Sequence, residues 1–414
     1  MAYVIGVILF ALAILISVSL HEAGHMGTAK LFGMRVTRYF IGFGPTLWSF
    51  RKGETEYGLK AIPLGGFVKI TGMTPLEEEE ERVPESDQHR VFWRKPLWQR
   101  TVVLVAGSVT HFVLGFLILW ILVSWVWAPN PAYAEEQDRA RDSTTIAVSE
   151  CLAADGVCDA DSEPSPAVDA GLTTGDSVLA VNGTTVDDWD ALVKAIRPLP
   201  AEEEATLTVL GADGEKRDVA VTPAAVEIED EDGRTRTVSQ VGITLYVDPS
   251  IPVSMTYGPI AGIGAAADFT GDMAKLMGEA IVRLPEKVPA LWNAIVGEER
   301  DPETPVSVVG ASRLGGEMVE NDAWVSFFLL LASLNYFVGV FNLLPLLPMD
   351  GGHIAIAWYE RLRSWWAARR NKPDPGRVDY LKLAPLTYMV LVVMVGFTLL
   401  AVTADIVNPI TIFD

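Results

Sequence analysis

Residues 21–25 read His-Glu-Ala-Gly-His. On a helix this spacing puts two imidazoles one turn apart on one face, where they can share a zinc ion. The glutamate is left beside the metal, able to take a proton from a water. The chemistry indicated is metal-assisted hydrolysis. The setting is unusual for it. Met1–Leu20 contains no charged side chain, and the same helical stretch delivers His21, Glu22 and His25. Ionisable groups at membrane depth are costly and by default functional, so these residues point to water chemistry inside a bilayer.

Two histidines leave a catalytic zinc one protein ligand short. The strongest candidate within apolar sequence is Asp350, in Asn342-Leu-Leu-Pro345-Leu-Leu-Pro348-Met-Asp350-Gly351-Gly352-His353, with His353 competing on the same segment. Pro345 and Pro348 break the helical pattern, and irregular backbone at membrane depth is tolerated only where it is buried in protein or lines a cavity. His111, in Gly107-Ser-Val-Thr-His111, is a further intramembrane histidine. It reads either as polar packing between spans or as a group that polarises the scissile carbonyl. Asn342 alone reads as a helix–helix hydrogen-bonding residue.

The elements that must position these residues follow from hydropathy. Four apolar stretches, about Tyr3–Leu31, Thr101–Trp127, Trp324–Leu347 and Leu383–Val402, are long enough to span a bilayer. The fold class expected is a multi-span α-helical membrane protein with four transmembrane helices, at 1–32, 98–128, 323–355 and 383–407. Residues 128–322 carry a net charge of −24 while the rest carries +3, so the acidity sits in one soluble insertion and argues against nucleic-acid partners. Lys30–Arg100 holds twelve basic residues and Arg361–Lys382 seven. The positive-inside rule makes segment 33–97 and a basic loop at 356–382 cytoplasmic, with both termini and the insertion outside, including a tail at 408–414. The first span lacks a basic n-region and a cleavage site, and is expected to be retained.

Between the spans, Tyr57–Thr71 alternates β-favouring residues with Pro63, Gly65 and Gly66 and predicts a β-hairpin near the active-site face. Glu77–Glu81 predicts a solvated acidic loop, and Phe92-Trp93-Arg94 with Trp98 predict interfacial anchors. In the insertion, a linker at 129–144 precedes Ala170-Gly-Leu, Gly175-Asp and Val181-Asn-Gly183, turn residues that resemble the bacterial PDZ module over 145–245. Cys151 and Cys158 are either a disulfide of an oxidising compartment or two free thiols. Within 246–322, an apolar stripe from Phe269 to Leu284 predicts an amphipathic helix, lying at the interface or packed on the PDZ module.

His21–His25 with Asn342-x-x-Pro345 and Asp350-Gly351, joined by Gly42-Phe-Gly44 and Ile62–Lys69, resembles the site-2 protease family of intramembrane metalloproteases. Its RseP-like subgroup, in a single-PDZ actinobacterial-type form, is the nearest pattern. The resemblance implies one zinc per chain held by His21, His25 and Asp350, Glu22 as catalytic base, and no ligand role for His353. It implies that the 57–72 segment, with Gly65, Gly66 and Phe67, is a membrane-reentrant β-loop holding substrate extended. It also implies that Asn342, in the motif with Pro345, helps unwind a substrate helix. Where the family often has Gly-Pro-x-x-Asn in span 2, this chain has Gly107–His111, and His111 is the nearest equivalent. The implied activity is site-2 cleavage of single-span proteins in a bacterial cytoplasmic membrane, the substrates being anti-sigma factors or remnant signal peptides. The PDZ module would contact substrate or regulator, or exclude bulky substrates. Two other classes stand against this: a non-catalytic PDZ scaffold, and a metal transporter, which needs neither the glutamate nor a PDZ module.

Overall fold

The computed structural model describes residues 1–73, 83–152, 158, 164–229 and 235–413. The acidic run Glu77–Glu81 lies outside them. The chain forms two compact units, Met1–Val126 with Thr256–Asp414, and Trp127–Met255.

In the first unit, helix α1 (Ala2–Leu31) is apolar on nearly all sides. Val4, Ile5, Ile8, Leu12 and Ile16 are exposed, while Gly6, Phe10, Ser17, His21, His25 and Ala29 form a buried stripe at helical spacing. A sheath of exposed apolar residues with a buried polar stripe is the inverse of a soluble helix and suits a lipid environment. Among the described residues four helices can cross a membrane by length and composition: Ala2–Leu31, Leu97–Val126, Trp324–Asn342 and Tyr380–Val407. The chain is a multi-span helical membrane protein.

Strands β1 (Val36–Lys52) and β2 (Thr55–Ile70) follow α1. Both are long and bent, and their register brings four rows side by side in the order 48–52, 55–59, 38–41 and 66–69. Phe40 and Phe67 stack across the pairing, as do Phe50 and Tyr57. The predicted hairpin at 57–71 is therefore half of a larger sheet whose first strand the sequence reading left unassigned. Val36 and Ile70 at the sheet's base join Ala29, Phe92, Val103 and Leu104 in a core cluster. Phe92 is thus a core residue rather than an interfacial anchor, since its ring closes the joint between sheet and helices. Trp98, 58% exposed, remains at the surface.

Helix α2 (Leu97–Ile121) is the central span. It packs against α1 on one side and α6 (Trp324–Asn342) on the other. Its buried stripe, Val103, Gly107, His111, Gly115 and Leu119, repeats every four residues. The glycines permit close approach: a methyl at Gly115 would meet the Tyr336 ring, and one at Gly339 the Phe112 ring.

Preceding α6 come α3 (Gly258–Arg283), α4 (Val288–Val296) and α5 (Val308–Glu320). Helix α3 packs on α2 and α6, burying Gly262 and Ala266 and hydrogen-bonding Thr270 to Tyr336, whereas Leu276 of the predicted stripe is exposed. Helix α5 lies on α1, with Gly315 and Gly316 against Phe10, Val7 and Tyr3. After α6 the chain is irregular until α7 (Asp350–Arg369), and α8 (Tyr380–Val407) closes the unit.

Two expected boundaries change here. The third span ends at Asn342 rather than 355, because Pro345 and Pro348 supply no backbone donors to continue it. The expected loop at 356–382 is helical as far as Arg369. Its exposed face carries Trp358, Leu362, Trp365 and Trp366, which favour an interface, and Glu360 pairs with Arg100 of α2 at 3.2 Å.

The second unit holds a sheet of β3 (Ser177–Val181), β4 (Thr184–Thr185), β5 (Ala205–Leu210) and β6 (Lys216–Val221), in the order β4-β3-β5-β6, with the helix Trp189–Ile196. Val178, Leu192, Leu207 and Val209 centre its core. Asn182 and Gly183 both have positive φ, the backbone demanded by the two-residue turn between β3 and β4. Cys151 and Cys158 are disulfide-bonded, with Cα atoms 5.8 Å apart.

Candidate active site

His21 and His25 are buried on the inner stripe of α1, one turn apart, with Nε2 atoms 3.1 Å apart. Asp350 opens α7 and brings Oδ2 to 3.3 Å from each of those nitrogens. The turn that delivers it depends on two glycines. Gly351 lies against the carbonyls of Leu343 and Leu344, and a methyl on Gly352 would sit 2.7 Å from the backbone between Leu346 and Leu347. Only glycine allows α7 to fold back so closely on the 343–349 segment. The helix is capped by Met349, which offers no side-chain acceptor, and the Asp350 carboxylate faces the two histidines.

These three side chains are the one group of this kind among the described residues. Their donor set is two imidazoles and a carboxylate. In a tetrahedral zinc site with bonds of about 2.0–2.1 Å, ligand atoms lie about 3.3–3.4 Å apart; the three separations here, 3.1, 3.3 and 3.3 Å, fit. The orientation of His25 fits as well. Its Nδ1–H donates to the Val103 carbonyl at 2.7 Å, which leaves the Nε2 lone pair for a metal. Bound zinc would polarise a carbonyl and make water a nucleophile near neutral pH.

Helix α2 supplies the wall of the site. A methyl on Gly107 would meet His21 Cε1 and His25 Nε2 at 2.5 Å. Gly24 of α1 is held equally close to Ala106 and Thr110. One turn on from Gly107, His111 places its ring centroid 5.0 Å from that of His21. Its Nδ1 is 2.9 Å from Asn335 Oδ1 of α6.

The sheet supplies the third side. Glu22, half-buried, has the Val68 backbone beside its carboxyl, and a methyl on Gly66 would be 3.4 Å from Glu22 Cγ. The Tyr39 hydroxyl donates to the Ser19 carbonyl of α1 at 2.7 Å, pinning sheet to helix near the motif. Residues 66–68 pair with 39–41 on one side, and on the other the Val68 backbone bonds the Glu22 carboxyl, so this side of the sheet adjoins the base.

A model of peptidase family M50 matches residues 9–373. The chain belongs to this family, the site-2 proteases. Zinc metalloprotease Rip1 of Mycolicibacterium smegmatis is 42% identical across all of both chains, and Rip1 of Mycobacterium bovis is 43% identical, again over the full length of each. A putative zinc metalloprotease of Nostoc is 27% identical over 90% of this chain and 89% of its own. The protein is an intramembrane zinc metalloendopeptidase, and zinc is its cofactor.

The other residues singled out from sequence lie on the sheet, at the end of α6 and in the segment after it. Gly65 has φ 127°, a value that favours glycine, and Phe67 stacks on Phe40 and Phe43. Asn342 ends α6 half-buried, and Pro345 is exposed in the break that follows. His353 is not in the converging group; its Nδ1 lies 3.5 Å from the Tyr380 hydroxyl. Sequence reading missed Gly107, Asn335 and the Val103 carbonyl. The signals for the first two were the Gly107-x-x-x-His111-x-x-x-Gly115 spacing and an asparagine within apolar sequence. A backbone carbonyl leaves none.

Proposed function

We propose that His21, His25 and Asp350 hold the zinc, that Glu22 is the general base, and that a substrate segment is cut while paired as an added strand along residues 66–68. The observation that carries this is the placement of that side of the sheet beside the Glu22 carboxyl. A scissile peptide within a helix has its carbonyl tied up in a helical hydrogen bond. Unwinding exposes backbone groups that hydrocarbon cannot satisfy. A sheet edge replaces those bonds and lays the peptide extended past the base.

The chain's own groups then act in order. Gly65 and Gly66 leave room for the substrate backbone, and Phe67 stiffens the row by stacking. Asn342, whose side chain makes no hydrogen bond among the described residues, is free to take a backbone group from the unwinding helix beside Pro345. Glu22 accepts a proton from the attacking water at its carboxylate and delivers it to the leaving amine nitrogen.

The sheet is read as membrane-reentrant and the 145–245 region as a PDZ module outside the membrane, with both termini on that side and the basic segments cytoplasmic. Substrates are single-span proteins already shorn of their outer domain, of the anti-sigma factor type, with remnant signal peptides as a second class. The acidic insertion excludes chains with intact outer domains. The test is reconstitution in vesicles with a helical membrane peptide. Wild type should hydrolyse it, and Glu22→Gln should keep its zinc and lose hydrolysis. Absence of hydrolysis by wild type across several peptides contradicts the proposal.

A further inference from the structure

His111 is 1% exposed and Asn335 of α6 is likewise 1% exposed. The Asn335 amide has one chemically sensible orientation. Its Nδ2 donates to the Leu331 carbonyl at 2.8 Å, so Oδ1 faces His111 and can only accept. His111 therefore carries its proton on Nδ1, donated to Asn335, and its Nε2 is a bare lone pair. That nitrogen is fully buried and has no hydrogen-bond partner. The ring stands against His21, one turn beyond the glycine that touches both histidines. His25 has the same tautomer, with Nδ1–H bonded to the Val103 carbonyl and the Nε2 lone pair turned to the converging ligand group. A buried unpaired acceptor is destabilising unless something in the working state satisfies it, and His111 Nε2 lies outside the group of three converging ligand atoms.

We infer that the His111–Asn335 pair is a fixed acceptor for the attacking water. Glu22 takes one proton of that water, and His111 Nε2 accepts a hydrogen bond from the other O–H, aiming the oxygen lone pair at the scissile carbonyl. Asn335 is a positioning residue that holds the tautomer. The arrangement does not favour a role for His111 in polarising the carbonyl, because that needs an Nε2–H donor. The inference rests on the hydrolytic reading of the site.

The test uses two isosteres of one side chain. In His111→Gln the amide oxygen can occupy the place of Nε2, whereas in His111→Asn the amide reaches only the place of Nδ1 and the acceptor is lost. The full-length protein, reconstituted as above, is assayed for zinc per chain and for kcat and KM. We expect wild-type zinc in both variants, a kcat loss of about 100-fold in His111→Asn, a loss of less than about tenfold in His111→Gln, and KM within about threefold. Asn335→Ala should resemble His111→Asn, and Asn335→Asp, which keeps the acceptor, should recover most of the rate. If His111→Asn is as active as wild type, or more active than His111→Gln, the inference is overturned. It is also overturned if zinc falls in step with activity, since His111 would then be holding the metal site. An inactive wild type would instead remove the hydrolytic reading itself.

Discussion

Asp350 and Gly107 are the residues on which the site turns, for opposite reasons. Asp350 brings a carboxylate to two imidazole nitrogens from more than 300 positions away in the sequence, and no fourth ligand atom among the described residues joins that group. Gly107 contributes an absence. Gly107→Ala would press a methyl onto His21 and His25, so zinc content should fall well below wild type while the protein still folds, as metal analysis of the purified variant would show. Wild-type zinc in that variant would mean that α2 is not the wall of the site. At this scale the sequence was most legible where chemistry dictates spacing. His21, Glu22 and His25 announce themselves by intervals of one and three. Asn335 does not, because its role depends on which helix faces it.

Helix α2 was read as a span with one candidate residue, His111, and its place between α1 and α6, touching both, was not foreseen. Spans 1 and 3 therefore meet largely through span 2, a relation that hydropathy cannot carry because every span is apolar. The small-residue stripe Gly107, His111 and Gly115 was the available sign. The strand Val36–Lys52 was missed for a different reason. Its exposed Phe43, Leu47, Trp48 and Phe50 do not alternate in burial as a strand of a soluble sheet would. The sheet edge itself can be tested. A branched side chain in Gly66→Val would push on the Phe40 carbonyl at 2.9 Å and crowd Glu22, so hydrolysis should drop at least tenfold with zinc retained. Unaltered cleavage would count against strand addition at that edge. Far from the site, Arg300 and Asp405 form a buried pair at 2.7 Å that also binds the Ser307 amide and the Asn408 carbonyl, and so ties α8 to the segment before α5. Asp405→Ala leaves a buried guanidinium unpaired and should cost about 3–5 kcal/mol, seen as a lowered unfolding midpoint in detergent, with zinc binding intact below that midpoint.

On the scale of the whole molecule, charge alone marked 128–322 as one acidic insertion, but the separate compact unit is only Trp127–Met255, and Thr256 onward belongs with the spans. The insertion's proposed work as a filter has a direct consequence. Removing 145–245 should let the enzyme cut substrates whose outer domains are intact, read by comparing cleavage of full-length and truncated substrates. Equal discrimination with and without the insertion contradicts the filter. The part of the molecule least legible in sequence was how distant segments converge, since four apolar stretches admit many packings. The two glycines after Asp350 set the fold-back of α7 on the 343–349 segment.

The central claim is that a hydrolytic zinc centre is completed across the molecule by Asp350. Zinc per chain, measured on purified wild type and on Asp350→Ala, tests it most directly. Wild type should hold close to one zinc, and Asp350→Ala should hold a small fraction of that, with hydrolysis lost in parallel. Zinc at the wild-type level in Asp350→Ala would show that the third ligand lies elsewhere, and His353 would be the next side chain to substitute.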